Sequence, residues 1–142
     1  IAPYVSIHSA TLAERDAGQK KSHRWPVVVL RAARQCRRAE IPELSPVLSW
    51  SEALNHCADA ELSLVCYEGA GTWPLAEALN GFSAGRVALM IGPEGGFTEE
   101  EIAEARSRGL LPVGLGPRIL RTETAAIIAA GVIQYAVGDL GR

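Results

Sequence analysis

The sequence predicts an α/β fold with a parallel sheet flanked by helices, and three observations support this. Short apolar runs at residues 62–67, 86–91 and 110–115 alternate with helical stretches, the order left by strands joined through helical crossovers. The run at 86–91 is almost continuously apolar, as in strands covered on both faces. Two of the runs end in glycine-containing loops dense in charged residues, where open α/β sheets hold their ligands. With 142 residues and no internal repeat or Gly/Ser linker, one domain is expected.

The elements follow in order. Residues 2–7 are short and partly apolar and fit a strand. Residues 22–38 predict a helix, with Pro26 in its first turn. Trp25, Val29, Ala32 and Cys36 are expected to form its buried stripe, and Arg24, Arg31, Arg34 and Arg38 a basic face. Pro42 and Pro46 break the chain, after which residues 51–60 predict a helix capped by Ser49 or Ser51. A strand over 62–67 runs into Glu68-Gly-Ala-Gly71, and a brief helix over 74–80 stops at Gly81. Beyond the strand over 86–91, Thr98 and Glu101 form a capping box for a helix over 98–108 that Gly109 ends. The strand over 110–115 precedes a last helix opening at Thr122 or Glu123 and closing near Val137, too apolar to lie on a surface.

Composition narrows the function classes. The 48% hydrophobic and 21% charged shares are those of a globular protein. No apolar run is long enough to span a membrane, and no signal peptide is read, so a cytoplasmic location is expected. Cys36, Cys57 and Cys66 are unpaired in spacing and expected as reduced, small buried side chains, and His8, His23 and His56 are scattered, so no metal site is expected. The net charge of −2 argues against coating nucleic acid. Between Glu14 and Glu40, however, Arg15, Lys20, Lys21, Arg24, Arg31, Arg34, Arg37 and Arg38 make one end of the chain basic.

The chemistry concentrates in two loops. In Gly92-Pro-Glu-Gly-Gly-Phe97, Gly92, Gly95 and Gly96 allow close backbone approach, while Pro93 stiffens the turn. The loop lacks the lysine of a phosphate loop and the spacing of a dinucleotide fingerprint, and Glu94 would repel phosphate. Backbone groups beside a carboxylate suit a neutral or cationic small ligand, such as adenosine joined to a sulfonium-bearing amino acid; a plain structural turn is the alternative. In the second loop, residues 115–126, Arg118, Arg121 and Glu123 crowd between a strand and an apolar helix. Either Thr122 or Glu123 caps that helix and the arginines face water, or charge is held there for use.

Together, I-G-P-E-G-G-F-T-x-x-E and L-G-x-R-I-L-R-x-E-T-A, with Arg24-Trp25, Arg31-Ala-Ala-Arg-Gln35, Arg38 and Ile41-Pro42 upstream, resemble the RsmE family of ribosomal RNA methyltransferases in the SPOUT superfamily. The resemblance implies a SPOUT-type sheet with a C-terminal trefoil knot. It implies S-adenosyl-L-methionine as cofactor and methylation at N3 of a uridine in small-subunit ribosomal RNA. It also implies a homodimer formed through the C-terminal helix. Residues 1–142 would be the methyltransferase domain, truncated at its amino end and without the family's PUA-like domain. Cofactor-binding positions carried over are Tyr67, Glu68, Gly92, Pro93, Glu94, Gly95, Gly96, Leu115, Gly116, Ile119 and Leu120. Arg121 is assigned to the uridine carbonyls and the developing anion, and Glu123 to the proton or to orienting Arg121. Arg24, Arg31, Arg34, Arg38 and Arg118 are expected on RNA. The rival function is a non-catalytic RNA-binding or ribosome-assembly module; a nucleotide hydrolase is disfavoured by the missing lysine.

Overall fold

The computed structural model describes residues 1–9, 24–83 and 85–140. Four strands form one parallel sheet: β1 (Leu62–Cys66), β2 (Trp73–Pro74), β3 (Val87–Met90) and β4 (Leu111–Gly114), in the order β2-β4-β1-β3. Among the described residues five helices accompany them: α1 (Trp25–Gln35), α2 (Trp50–Ala58), α3 (Leu75–Ala78), α4 (Glu99–Ser107) and α5 (Thr122–Ala136). The side-chain period of two along a strand divides the core between the faces of the sheet. Val65 of β1 packs with Leu54 and Cys57 of α2 and with Ile102 and Ala105 of α4, whereas its neighbour Leu64 packs with Leu75 and Leu79 of α3, Val113 of β4 and Ala129 and Ile133 of α5. The result is an α/β/α sandwich.

The helix starts are built by local chemistry. Ser49 and Thr98 each accept from the backbone N–H three residues on, and Glu52 and Glu101 return the bond, so both α2 and α4 open with capping boxes. α1 ends where Arg37 takes φ 57°, in the left-handed region, letting Arg37 and Arg38 N–H bond back to the Arg34 and Ala33 carbonyls at 3.2 and 2.9 Å.

Several expectations change. The buried side of α1 is Ala33, with Trp25, Val29 and Leu30 half-buried; Ala32 and Cys36 are exposed. Apolar residues surround this helix, since Val27 and Val28 also face solvent, so its periodicity fits more than one face. Cys36 is its C-cap and exposed, while Cys57 is buried and Cys66 half-buried. Ser22 and the basic residues Arg15, Lys20 and Lys21 lie outside the described residues.

Residues 2–7 contribute one parallel bridge, Tyr4 to Leu48, rather than a strand of the sheet. β3 is an edge strand among the described residues and half-buried, and β1 and β4 are the central ones. Pro74, expected in the brief helix, instead forms the edge strand β2 with Trp73. α5 lies at the surface: Ala125, Ala129 and Ile133 face the core, but Ile127 and Tyr135 are 74% and 72% exposed. No helix among the described residues is long and apolar enough to cross a membrane.

Candidate active site

Since all the strands run parallel, the loops after β1, β3 and β4 leave one edge of the sheet. They enclose a cleft of about 580 Å³. The loop after β3 is shaped by contacts on both sides. Gly96 N–H donates to the Pro93 carbonyl at 2.9 Å, closing a turn in which Gly96 has φ +71°. A Cβ on Gly96 would lie 2.7 Å from Oε1 of Glu68, and one on Gly92 would lie 3.0 Å from the Phe97 ring. Phe97 is buried and packs on Trp50 with ring centroids 5.6 Å apart, and Trp50 packs on Tyr4 at 6.1 Å. Tyr4 Oη donates to the Ile91 carbonyl at 2.5 Å. Burial, followed by the charge of Glu101, pushes the Tyr4 phenol well above its ordinary range.

The loop after β4 leads into α5 through Arg121, which has extended backbone and makes no side-chain cap bond. Thr122 and Glu123 do not cap the helix either: Glu123 stands in its first turn, and Thr122 Oγ1 donates across the cleft to the Gly92 carbonyl at 3.2 Å. That bond joins the two motif loops directly. Ile119 is 82% exposed, an apolar side chain held open at the cleft.

Of the expected cofactor positions, Tyr67, Glu68, Gly92, Pro93, Glu94, Gly96, Leu115, Gly116, Ile119 and Leu120 line this cleft; Gly95 does not. The room a Cβ would need at Gly95 is taken by His8, whose own Cβ would be 2.8 Å away. Arg121 and Glu123 line the cleft, and so does Arg118, expected on RNA. Arg24, Arg31, Arg34 and Arg38 are exposed on or beside α1 and line no part of it.

Sequence reasoning missed Thr72, Cys66 and Thr122 as lining residues. Thr72 precedes a two-residue strand with no period to detect, whereas Thr122 was visible only as a helix cap. Burial pushes the Cys66 thiol up to about 11.

Among the described residues, the cleft therefore combines three carboxylates (Glu68, Glu94 and Glu123), two guanidinium groups (Arg118 and Arg121) and backbone exposed by glycines. Close glycine approach on one wall suits a flat group, the carboxylates suit a cation, and the guanidinium groups suit carbonyl or phosphate oxygens.

Residues 1–134 match the model of an RNA methyltransferase domain. The chain is 31% identical over 138 residues to the ribosomal RNA small subunit methyltransferase E of Bacillus subtilis, covering 94% of this chain and 54% of that protein. It is 39% identical over 118 residues to the enzyme of the same name from Mycobacterium bovis, covering 80% and 44%. The crystal structure of the Neisseria gonorrhoeae ribosomal RNA small subunit methyltransferase E bound to S-adenosyl methionine superposes with a TM-score of 0.79 at 31% identity, over 99% of this chain and 56% of that one. The chain spans about half the length of the curated relatives it matches.

Proposed function

The chain belongs to the RNA methyltransferase domain family, and from that premise we propose that it carries the catalytic site of an S-adenosylmethionine-dependent ribosomal RNA methyltransferase acting on N3 of a small-subunit uridine. The observation that carries the reading is the convergence of Gly92–Gly96 and Leu115–Glu123 on one cleft, tied by the Thr122 to Gly92 bond. The residues fit the cofactor. Gly92 and Gly96 keep a wall flat where a Cβ would collide, and Glu68 and Glu94 offset a sulfonium and ammonium charge.

When bound, S-adenosylmethionine supplies an electrophilic methyl that departs from sulfur as the new N3–carbon bond forms, leaving a neutral thioether. Arg121 holds the uridine carbonyl oxygens and stabilises the anion made when N3 loses its proton. Glu123, one helical residue beyond Thr122, takes that proton or orients Arg121. Leu115, Gly116, Ile119 and Leu120 form the part of the cofactor cradle that follows β4.

Arg24, Arg31, Arg34 and Arg38, with Arg118 at the cleft, engage RNA phosphates. The reading extends to a homodimer through α5, a SPOUT-type trefoil knot in the segment after β4, a PUA-like RNA-binding domain outside residues 1–142, and action in the cytoplasm. Isothermal titration calorimetry with S-adenosylmethionine tests the cofactor reading: micromolar binding is expected, and silence from a folded protein favours a non-catalytic RNA-binding module. Mass spectrometry of ribosomal RNA nucleosides, with and without the gene, tests the target: loss of N3-methyluridine is expected, and an unchanged level removes that assignment. Charge reversal of Arg31 and Arg34 is expected to weaken RNA binding most at low salt and leave cofactor binding unchanged.

A further inference from the structure

Residues 4–8 lie far in sequence from the Gly92–Phe97 loop yet bond to it at both ends. Tyr4 Oη donates to the Ile91 carbonyl at 2.5 Å, just before the loop. Ile7 N–H donates to Oε1 of Glu101 at 2.9 Å, and the other oxygen of that carboxylate accepts Thr98 N–H at 3.0 Å, just after it. Between these, Nδ1 of His8 sits 3.1 Å from the Gly95 carbonyl and 3.2 Å from the Gly96 carbonyl. Both partners are acceptors only, so Nδ1 carries the hydrogen. The 2.8 Å between His8 Cβ and a Cβ built on Gly95 gives that glycine a purpose separate from the cleft: it admits His8.

We propose that residues 4–8 form a latch that sets the shape of the loop, with His8 as its positioning residue; this rests on the reading that the loop cradles S-adenosylmethionine. A loop with three glycines loses much backbone freedom on ordering. Its internal turn bond, Gly96 N–H to Pro93, fixes one peptide. The imidazole holds the next. In a trans peptide C=O and N–H point in opposite directions, so holding the Gly96 carbonyl on the His8 side fixes the direction of Phe97 N–H, and Phe97 is on the cleft wall. His8 is exposed and is not among the residues lining the cleft, so it shapes the cradle without being part of it.

The test compares His8→Ala with His8→Asn, whose side-chain amide nitrogen sits near the position of Nδ1 and can donate. Two readouts are taken on the full chain: amide hydrogen exchange at Gly96 without ligand, and S-adenosylmethionine affinity by calorimetry, with KM and kcat where turnover is measured. The latch predicts that His8→Ala speeds Gly96 exchange and weakens cofactor binding by about fivefold each, what one neutral hydrogen bond is worth. The change should fall on KM rather than kcat, and His8→Asn should restore both readouts. Unchanged exchange in His8→Ala overturns the latch. So does faster exchange with cofactor affinity within twofold of the parent. If the parent itself binds no S-adenosylmethionine, the cofactor reading fails, and exchange still decides whether His8 holds the loop.

Discussion

Arg121 and Cys66 occupy one cleft with opposite prospects for chemistry. Arg121 stands at the N-cap of α5, where its side chain makes no capping bond and lines the cleft. If it stabilises charge that develops only during methyl transfer, Arg121→Ala lowers kcat by about 10²-fold or more while S-adenosylmethionine affinity stays within twofold. Normal turnover with normal cofactor binding would remove Arg121 from the mechanism. Cys66 faces the same space, but with its thiol held up to about 11 by burial it stays protonated at neutral pH and is a poor nucleophile. That shift also predicts a pH dependence of stability. The ordinary value is 9.0 and the folded value is higher, so the unfolded chain loses this proton first as pH rises. The stabilisation is complete below pH 9 and is lost between about 9 and 11, amounting to about 2 kcal/mol after allowance for partial exposure. Chemical denaturation of the parent and of Cys66→Ala should show curves that converge over this interval. Curves that stay parallel would mean that the thiol does not titrate as its burial implies.

Helix α2 owes its start to Ser49 and Glu52, and α4 to Thr98 and Glu101, two copies of one device with different surroundings. The Glu52 carboxylate is fully exposed and held below its ordinary value of 4.5 by the bonds from Ser49. Its contribution is therefore present above 4.5 and lost as pH falls through the lower folded value. Glu101 is 4% exposed and also holds Ile7. Ser49→Ala should cost about 1 kcal/mol in urea denaturation. Thr98→Ala should cost at least as much and, unlike Ser49→Ala, should weaken cofactor binding, because its helix start anchors one end of the glycine loop. Equal effects on binding would break that link. The Thr98 box was legible in the sequence because a polar cap and a glutamate three residues on need no distant partner. So was the alternation of strands and helices, which rests on local apolar runs. β2 was not legible, since two residues have no period and its pairing to Val113 and Gly114 is long-range. The buried face of α1 was ambiguous for the opposite reason, an excess of apolar residues. In the site, the glycines and arginines stood out as local motifs, but the bond between Thr122 and Gly92 and the contact of His8 with Gly95 join residues 30 and 87 apart, and only folding brings them together.

At the scale of the molecule, α5 has two apolar faces, and the described residues cover one of them. Ala125, Ala129 and Ile133 meet the sheet, while Ile127, Ile128, Val132 and Tyr135 remain 37–74% exposed on a neighbouring face of the helix. A Cβ on Gly131 would meet nothing within 4 Å, so a second backbone could come close there. Apolar side chains grouped on one helical face are covered in most proteins, and a two-fold pairing would cover both copies at once. Because α5 begins at Arg121 and Thr122, the same pairing would also steady the start of the helix that lines the cleft. Sedimentation equilibrium at micromolar concentration should therefore give twice the chain mass. Ile127→Arg, a surface change within one chain, should give a monomer that keeps its helical circular dichroism and has weaker cofactor binding. A parent that sediments as a monomer would refute the pairing. A monomeric Ile127→Arg with cofactor affinity equal to the parent's would show that the dimer forms but the cleft does not depend on it.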